Sequence, residues 1–261
     1  MKIVDLNEEH VPLYCLCLED WSADISEAGD HKARWFEKFK DRGLRVKLAL
    51  DDRGEVGGMI QYLPIERSTA QGEGLYMIQC VWVHGHKQGR GNFQKKGMGK
   101  ALLEAAEKDA KDLGAVGMAA WGLLLPFWMK ASWFRKHGYR QADRDGMAAL
   151  VWKPFAKDAK PPRFIKLKKK PEKKPGVVTI TAFQNGWCPA QNLTYERARR
   201  ASVEFGNKVD FETIDTTDRT TMMEWGISDA VLIDGKQVGF GPPPSYQKIR
   251  KLIEARVRKL K

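Results

Sequence analysis

Between Lys160 and Gly176 the chain carries eight basic residues and four prolines against a single acid, Glu172. Proline removes an amide donor and like charges repel, so this stretch cannot close a core of its own. It divides the 261 residues into segments 1–155 and 176–261, with 156–175 as a basic, proline-containing linker. That length is also near the size at which one core gives way to two. The linker reads either as a solvated spacer or as a strap whose lysines border an anionic ligand or an RNA backbone. The formal charge of +12 favours anionic partners and excludes an acidic solvating tail. Nucleic acid is not indicated beyond that, because no strand interleaves aromatic and basic residues. Cys15, Cys17, Cys80 and Cys188 form no Cys-x-x-Cys pair, which argues against a disulfide-stapled secreted domain and against a zinc finger. The first residues are acidic where an export signal needs an apolar core, and no apolar run reaches the roughly 18–20 residues of a bilayer span. A cytoplasmic protein without a membrane partner is expected.

Hydrophobic periodicity predicts α/β structure in both segments. In the first, strands are expected at Ile3–Leu6, Arg45–Leu50, Gly57–Leu63, Tyr76–Val83, Ala115–Trp121 and Met147–Lys153. Helices are expected at Glu8–Leu18, capped by Asn7, at Gly97–Leu113 and at Phe127–Lys136. In Gly97–Leu113, Leu102, Leu103, Ala106 and Ala110 share one face and Gly114 ends the helix. The second segment reads as strand Val177–Phe183, helix Leu193–Phe205, strand Val209–Ile214 and helix Thr220–Trp225. Strands Ala230–Ile233 and Lys236–Gly239 and a helix over Ser245–Lys259 complete it.

The most specific chemistry lies where the strand ending at Val83 passes through a loop into a helix opened by Gln94-Lys95-Lys96-Gly97-Met98-Gly99-Lys100. Two glycines let backbone approach a ligand closely, and the unpaired amides of a helix start hold phosphate. A Walker loop would need a hydroxyl where Ala101 stands, and a dinucleotide fingerprint would need glycine at Gln94.

Here the sequence resembles the GNAT superfamily of acetyl-CoA-dependent N-acyltransferases. The superfamily pattern Gln/Arg-x-x-Gly-x-Gly/Ala stands as Gln94-x-x-Gly97-x-Gly99, after a Val-x-Val strand end (Val81, Val83) and before Ala101-Leu102-Leu103. Ala131, Trp133, Phe134, Gly138 and Tyr139 resemble the Ala-x-x-Phe-Tyr-x-x-x-Gly-Phe segment, and MAALVWKPF the closing strand. The resemblance covers residues 1–155 and implies a GNAT acyl-CoA N-acyltransferase fold with acetyl-CoA as co-substrate. It implies that Val81, Val83, Gln94, Lys95, Lys96, Gly97, Met98, Gly99 and Lys100 bind the cofactor. The amide of Val81 would polarise the thioester carbonyl.

The family's tyrosine acid falls on Phe134, which leaves Tyr139 and Tyr76 as substitutes. The strand position of its carboxylate base falls on Gln79 or Cys80. Glu73, His84 and His86 are the alternatives, and Cys80 reads either as a catalytic candidate or as a small buried hydrophobe. His84 and His86 read as loop residues or as a pair lacking a third metal ligand, so no metal is expected. Residues 85–93 read as a lip over the site or as a surface insertion. Trp21, Trp35, Phe36, Trp121, Phe127, Trp128 and Trp133 wall either an acceptor pocket or a core, and Asp20, Asp24 and Glu27 attract an amine or face solvent.

The C-terminal segment, with a strand running into Trp187-Cys188-Pro189-Ala190-Gln191, resembles the small thioredoxin-like α/β domain of YoaP-like proteins. Cys188 at a helix start is a possible thiol site. Gln191 replaces the second cysteine, and Ser228-Asp229 stands where that fold carries a proline. The expected activity is acetyl transfer from acetyl-CoA to an amine of a small molecule or peptide by direct attack. The alternatives are a monothiol protein centred on Cys188 and a non-catalytic acyl-CoA- or RNA-binding protein.

Overall fold

A computed structural model describes residues 1–125, 128–239 and 241–260. In chain order its regular elements are β1 (Lys2–Asp5), α1 (Val11–Cys15), α2 (Ala23–Ser26), α3 (His31–Phe39), β2 (Arg45–Leu50), β3 (Val56–Pro64), β4 (Ala70–Gln71) and β5 (Leu75–Val83). Then come α4 (Met98–Asp112), β6 (Gly117–Leu123), α5 (Ala131–Lys136), β7 (Arg140–Asp145), β8 (Ala148–Pro154) and β9 (Arg163–Phe164). The remainder comprises β10 (Val178–Gln184), α6 (Pro189–Val203), β11 (Val209–Asp215), α7 (Arg219–Trp225), β12 (Ala230–Ile233), β13 (Lys236–Gln237) and α8 (Tyr246–Val257). The chain forms two units, one of residues 1–21 and 38–165, the other of residues 22–37 and 166–261.

The first unit is built on a seven-stranded sheet in the order β1-β2-β3-β5-β6-β8-β7. Among the described strands of this sheet only β5 and β6 pair in parallel. α4 lays Leu102, Leu103, Ala106 and Ala110 against Ile60, Tyr62 and Ile78 of the sheet, the face its periodicity predicts. Asp109 pins the helix polar edge: Arg45 donates to it at 2.9 and 3.0 Å and Tyr62 at 2.7 Å. The expected first helix is shorter than its pattern. Asn7 does accept from the His10 amide, but the turn it caps is 3₁₀, and α1 begins next to Pro12. β7 has no apolar alternation (RQADRD); it is an edge strand of mostly exposed side chains, held by its backbone ladder to β8. Phe127, the expected start of the helix over Phe127–Lys136, lies outside the described residues. That helix begins at Ala131, after Met129 in the left-handed region (φ 52).

The second unit has a four-stranded sheet in the order β11-β10-β12-β13, with β10 and β11 parallel and the other pairs antiparallel. Ala198, Ala201, Ile249 and Ile253 of α6 and α8 pack on Ile180 and Val231. α6 starts at Pro189, earlier than its apolar pattern suggests, because proline is preorganised for the first helical position. Residues 22–37 complete this unit: Arg197 donates to Asp24 at 2.9 Å, Arg200 pairs with Glu27, and His31 lies 2.7 Å from Glu196.

The basic strap is tied down on both sides of Ile165. Arg163–Phe164 pairs with Ala70–Gln71 in the first unit, and the Phe164 amide donates to Asp143. In the second unit, the Lys168 amide donates to the Trp225 carbonyl at 3.1 Å, and Lys174 Nζ to Asp210 at 2.6 Å.

Burial alone would raise the Asp109 pKa, but the bonds from Arg45 and Tyr62 and the charge of Lys47 bring it down to about 2. A depressed carboxylate pKa stabilises the fold above its unfolded value, near pH ~4, and this contribution fades as pH falls toward 2. Asp109→Asn is therefore expected to cost about 2 kcal/mol at pH 7 and to flatten the loss of stability below pH ~4. Urea melts across that range check it.

Candidate active site

β5 and β6 share a ladder only from Leu75–Gly117 to Ile78–Ala120. Beyond it β6 continues with β8 and β5 with β3, so the two strands diverge. The β3–β5 register shifts between the Ile78 and Cys80 pairs, which leaves Gln79 as the extra residue of a bulge. The bared edge of β5 is partnered by side chains: Trp121 Nε1 donates to the Gln79 carbonyl at 2.9 Å, and the Val81 amide meets Met129 Sδ at 3.4 Å. A thioether is a weak acceptor, so this amide is under-satisfied for a strand interior. Gly122 makes the arrangement possible. A Cβ there would lie 2.8–2.9 Å from Ala131 backbone atoms and the Met129 carbonyl, so only glycine admits the segment that carries Met129.

Below the divergence, Lys95 (φ 62) and Gly97 (φ 82) both take left-handed backbone, and α4 begins directly after Gly97. The Ala101 amide is the first to bond back, to the Gly97 carbonyl at 3.0 Å, so earlier amides of the helix lack intrahelical acceptors. A cleft of about 490 Å³ runs from this helix start to the bared strand. Val81, Trp82 and Val83 line one wall; Gln94, Lys95, Gly97, Met98, Gly99 and Lys100 the second; Trp128, Met129, Lys130, Trp133 and Phe134 the third. Eight of the nine residues expected at the cofactor site thus meet in one cleft. Lys96 does not line it; its Nζ sits 5.3 Å over the Phe93 ring. Gln94 turns its side chain back toward the strand end, donating to the Val83 carbonyl at 3.4 Å.

The residues nominated for proton transfer are scattered. Glu73 lies before the opposite end of β5, exposed and paired with Lys160, about 25 Å along the strand from Val81. Tyr139 is buried against Phe134 and Glu107, and burial pushes its hydroxyl pKa up. Tyr76 meets the Tyr62 ring edge-on near the start of β5. None of these three lines the cleft. Cys80 is buried, opposite Gln61 on β3, on the side of the sheet where Tyr14 donates to Gln61. Asp24 and Glu27 are committed to Arg197 and Arg200, and Trp35 and Phe36 belong to the second unit. Cys188 is a buried thiol beside Trp187, whose indole donates to Asp229 at 3.0 Å. Asp229 also accepts from the Asn185 amide and Ser228, and burial raises its pKa. Among the described residues no three metal-ligating side chains converge, and no helix is long and apolar enough to cross a membrane.

His84 and His86, by contrast, fall into a defined group, together with a residue that sequence reasoning missed, Glu19. His84 is fully buried; its Nε2 accepts from Trp21 Nε1 at 2.9 Å, which leaves Nδ1 to donate to the Gly91 carbonyl at 2.6 Å. Glu19 Oε2 stands 3.9 Å from His84 Nε2. The His86 ring lies 5.8 Å from Trp21 and 6.4 Å from Trp82. Residues 85–93 are held by Arg90, which donates to the Val56 carbonyl and pairs with Asp20 and Glu55. No local pattern marks Glu19, whereas the glycine within β6 was a readable sign of close backbone approach at residue 122.

Residues 10–123 match the model of the acetyltransferase (GNAT) family. That stretch, a little under half of the chain, is a GNAT acetyltransferase domain, the domain type of acyl-CoA-dependent acyltransferases. No curated protein matches the chain. Solved structures similar to it include the PaiA N-acetyltransferase of Thermoplasma acidophilum in complex with coenzyme A, at 18% identity over 59% of this chain and 99% of that one, with a TM-score of 0.43. A GNAT family acetyltransferase from Brucella melitensis in complex with acetyl-CoA is 15% identical over 62% and 94%, with a TM-score of 0.43. The GNAT family N-acetyltransferase YhbS from Escherichia coli in complex with CoA is 15% identical over 60% and 82%, also with a TM-score of 0.43.

A side chain at Gly122 must push the Met129–Ala131 backbone away from β6. Gly122→Ala is expected to cost about 2 kcal/mol in thermal melts, the scale of overpacking.

Proposed function

We propose that this chain transfers an acetyl group from acetyl-CoA to the nitrogen of an amine, on a small molecule or a peptide, by direct attack and without a covalent enzyme intermediate. The observation that carries this reading is the Val81 amide, on the diverging strand that lines the cleft and met there by the Met129 thioether. A cleft of about 490 Å³ is of the size small-ligand sites take. Its residues suit acetyl-CoA in separate ways. The amides opening α4, with Lys95 and Lys100 beside them, would hold the pyrophosphate. The Gln79 carbonyl and neighbouring backbone of β5 would bond the amide-bearing arm.

The Val81 N–H would then donate to the thioester oxygen as negative charge develops on it, a preorganised donor that needs no rearrangement during reaction. Met129 gives up little on exchange, since sulfur is the poorer acceptor. Phe134 forms part of the cleft and has no proton to give. The chemistry tolerates that: a thiol has a pKa near ~8.5, so its thiolate leaves without full protonation. Lys130, on the same wall, supplies positive potential. Such a reaction belongs in the cytoplasm, where acetyl-CoA is supplied.

In this reading the second unit is thioredoxin-like, supported by its β-α-β-α-β-β-α order with β10 between β11 and β12. It acts as a scaffold for residues 22–37 rather than as an oxidoreductase. Two observations favour that use: the Cys188 thiol is buried, and a Cβ at neighbouring Gly186 would lie 3.2 Å from the His31 carbonyl.

Calorimetric titration with acetyl-CoA is expected to show saturable 1:1 binding, and a folded protein that binds none overturns the proposal. Gly97→Ala forces a β-carbon into left-handed backbone at the helix start. It should weaken that binding about tenfold, the equivalent of the 1–2 kcal/mol such a conformation costs.

A further inference from the structure

Glu19 occupies an unusual position. Two consecutive non-glycine residues before it, Cys17 (φ 53) and Leu18 (φ 62), take left-handed backbone, which costs of order 1 kcal/mol each and turns the chain after α1. The turn delivers Glu19 to the end of β5, where its carboxylate stands 3.9 Å from His84 Nε2. That nitrogen is already occupied by the Trp21 indole N–H, so His84 does not neutralise Glu19 in this arrangement. Trp82 Nε1, buried and without a full hydrogen bond, is directed toward the same carboxylate. Trp82 also lines the acetyl-CoA cleft and is the neighbour of Val81. Trp21 is 39% exposed and lies flat on Gly89, where a Cβ would come within 2.0 Å of the indole. One half-buried carboxylate is therefore walled by Trp21, Trp82 and His86, and Trp82 is common to this group and to the cleft.

Resting on the acetyltransferase reading above, we infer that Glu19, Trp21, Trp82 and His86 form the acceptor subsite, which takes the ammonium head of a primary arylalkylamine, with Glu19 as the catalytic base. Aromatic faces and a carboxylate attract an organic cation together, each strengthened where water is thinned. Glu19 removes one proton from the ammonium, directly or through one water. The freed nitrogen lone pair forms the C–N bond at the acetyl carbon, the C–S bond breaks, its electron pair leaves on the CoA sulfur, and a second proton leaves the amide nitrogen to solvent. Burial raises the Glu19 pKa, against the opposing effect of His84 and His86, which moves the carboxylate closer to the neutral range where a base works best.

The probes are benzyltrimethylammonium, an unreactive permanent cation, and benzylamine with acetyl-CoA. Wild-type protein should bind benzyltrimethylammonium saturably, and more tightly as pH rises through the Glu19 pKa. His84 and His86 face Glu19, while Arg90 is held by Asp20 and Glu55. The Glu19 share of the dependence is therefore the part that Glu19→Gln abolishes. Glu19→Gln and Trp21→Ala should each weaken cation binding at least tenfold while leaving acetyl-CoA affinity within twofold. Glu19→Gln should also slow CoA release with benzylamine about 10²-fold, with the rate partly recovered at high pH as free amine accumulates. No cation binding in the wild type, equal affinity in Glu19→Gln, or no CoA release with benzylamine while acetyl-CoA binds overturns this subsite and leaves the acetyltransferase reading standing. Failure of acetyl-CoA to bind at all overturns the broader reading instead.

Discussion

The first unit depends on a ladder that stops. β5 and β6 are the one parallel pair in an otherwise antiparallel sheet, and they part after Ile78 and Ala120. An unpaired strand interior normally costs too much to keep, because each bared amide and carbonyl has lost water without gaining a partner. Here the cost is moderated rather than removed. Trp121 caps the Gln79 carbonyl, and Met129 offers sulfur to the Val81 amide. The Gln79 bulge changes the alternation, and Gly122 lets the Met129 segment approach. Cleft, donor and helix start all follow from that single divergence.

Around it, rigidity is concentrated where the cleft needs it. Asp109, in the last turn of α4, ties that end of the helix to β2 and β3 and so fixes the helix on the sheet. Arg90 and His84 fasten the residues after β5 through bonds to Val56, Asp20, Glu55 and Gly91. A glycine-rich loop is thereby held in one arrangement by a guanidinium and an imidazole together with the burial of Phe93. In the second unit the same economy appears in Asp229, which gathers the Asn185 amide, the Trp187 indole and the Ser228 hydroxyl under the turn that leads into α6.

Much of this was legible beforehand. The strand of Arg45–Leu50 and the face of Leu102, Leu103, Ala106 and Ala110 were readable because alternation and 3.6-residue spacing report which side meets water. The helix-start cluster from Gln94 to Lys100 was readable because glycine and lysine at a strand-to-helix turn have a local meaning. β7 escaped because an edge strand of six polar residues has no apolar side to report. Glu73 and Tyr139 were nominated by closeness in sequence, which says little about distance once a nine-residue strand or a turn intervenes.

By itself, then, the sequence determined the α/β elements, the break at the basic strap and a helix start rich in glycine and lysine. These are set within a few residues, by periodicity, by proline and by glycine. Tertiary structure decided the rest: Met129 against Val81 across 48 residues, Trp21 against His84 across 63, and Arg197 against Asp24 across 173. It also decided that residues 22–37 complete the second unit. Such pairs depend on how several loops close at once, and no local pattern records that sum.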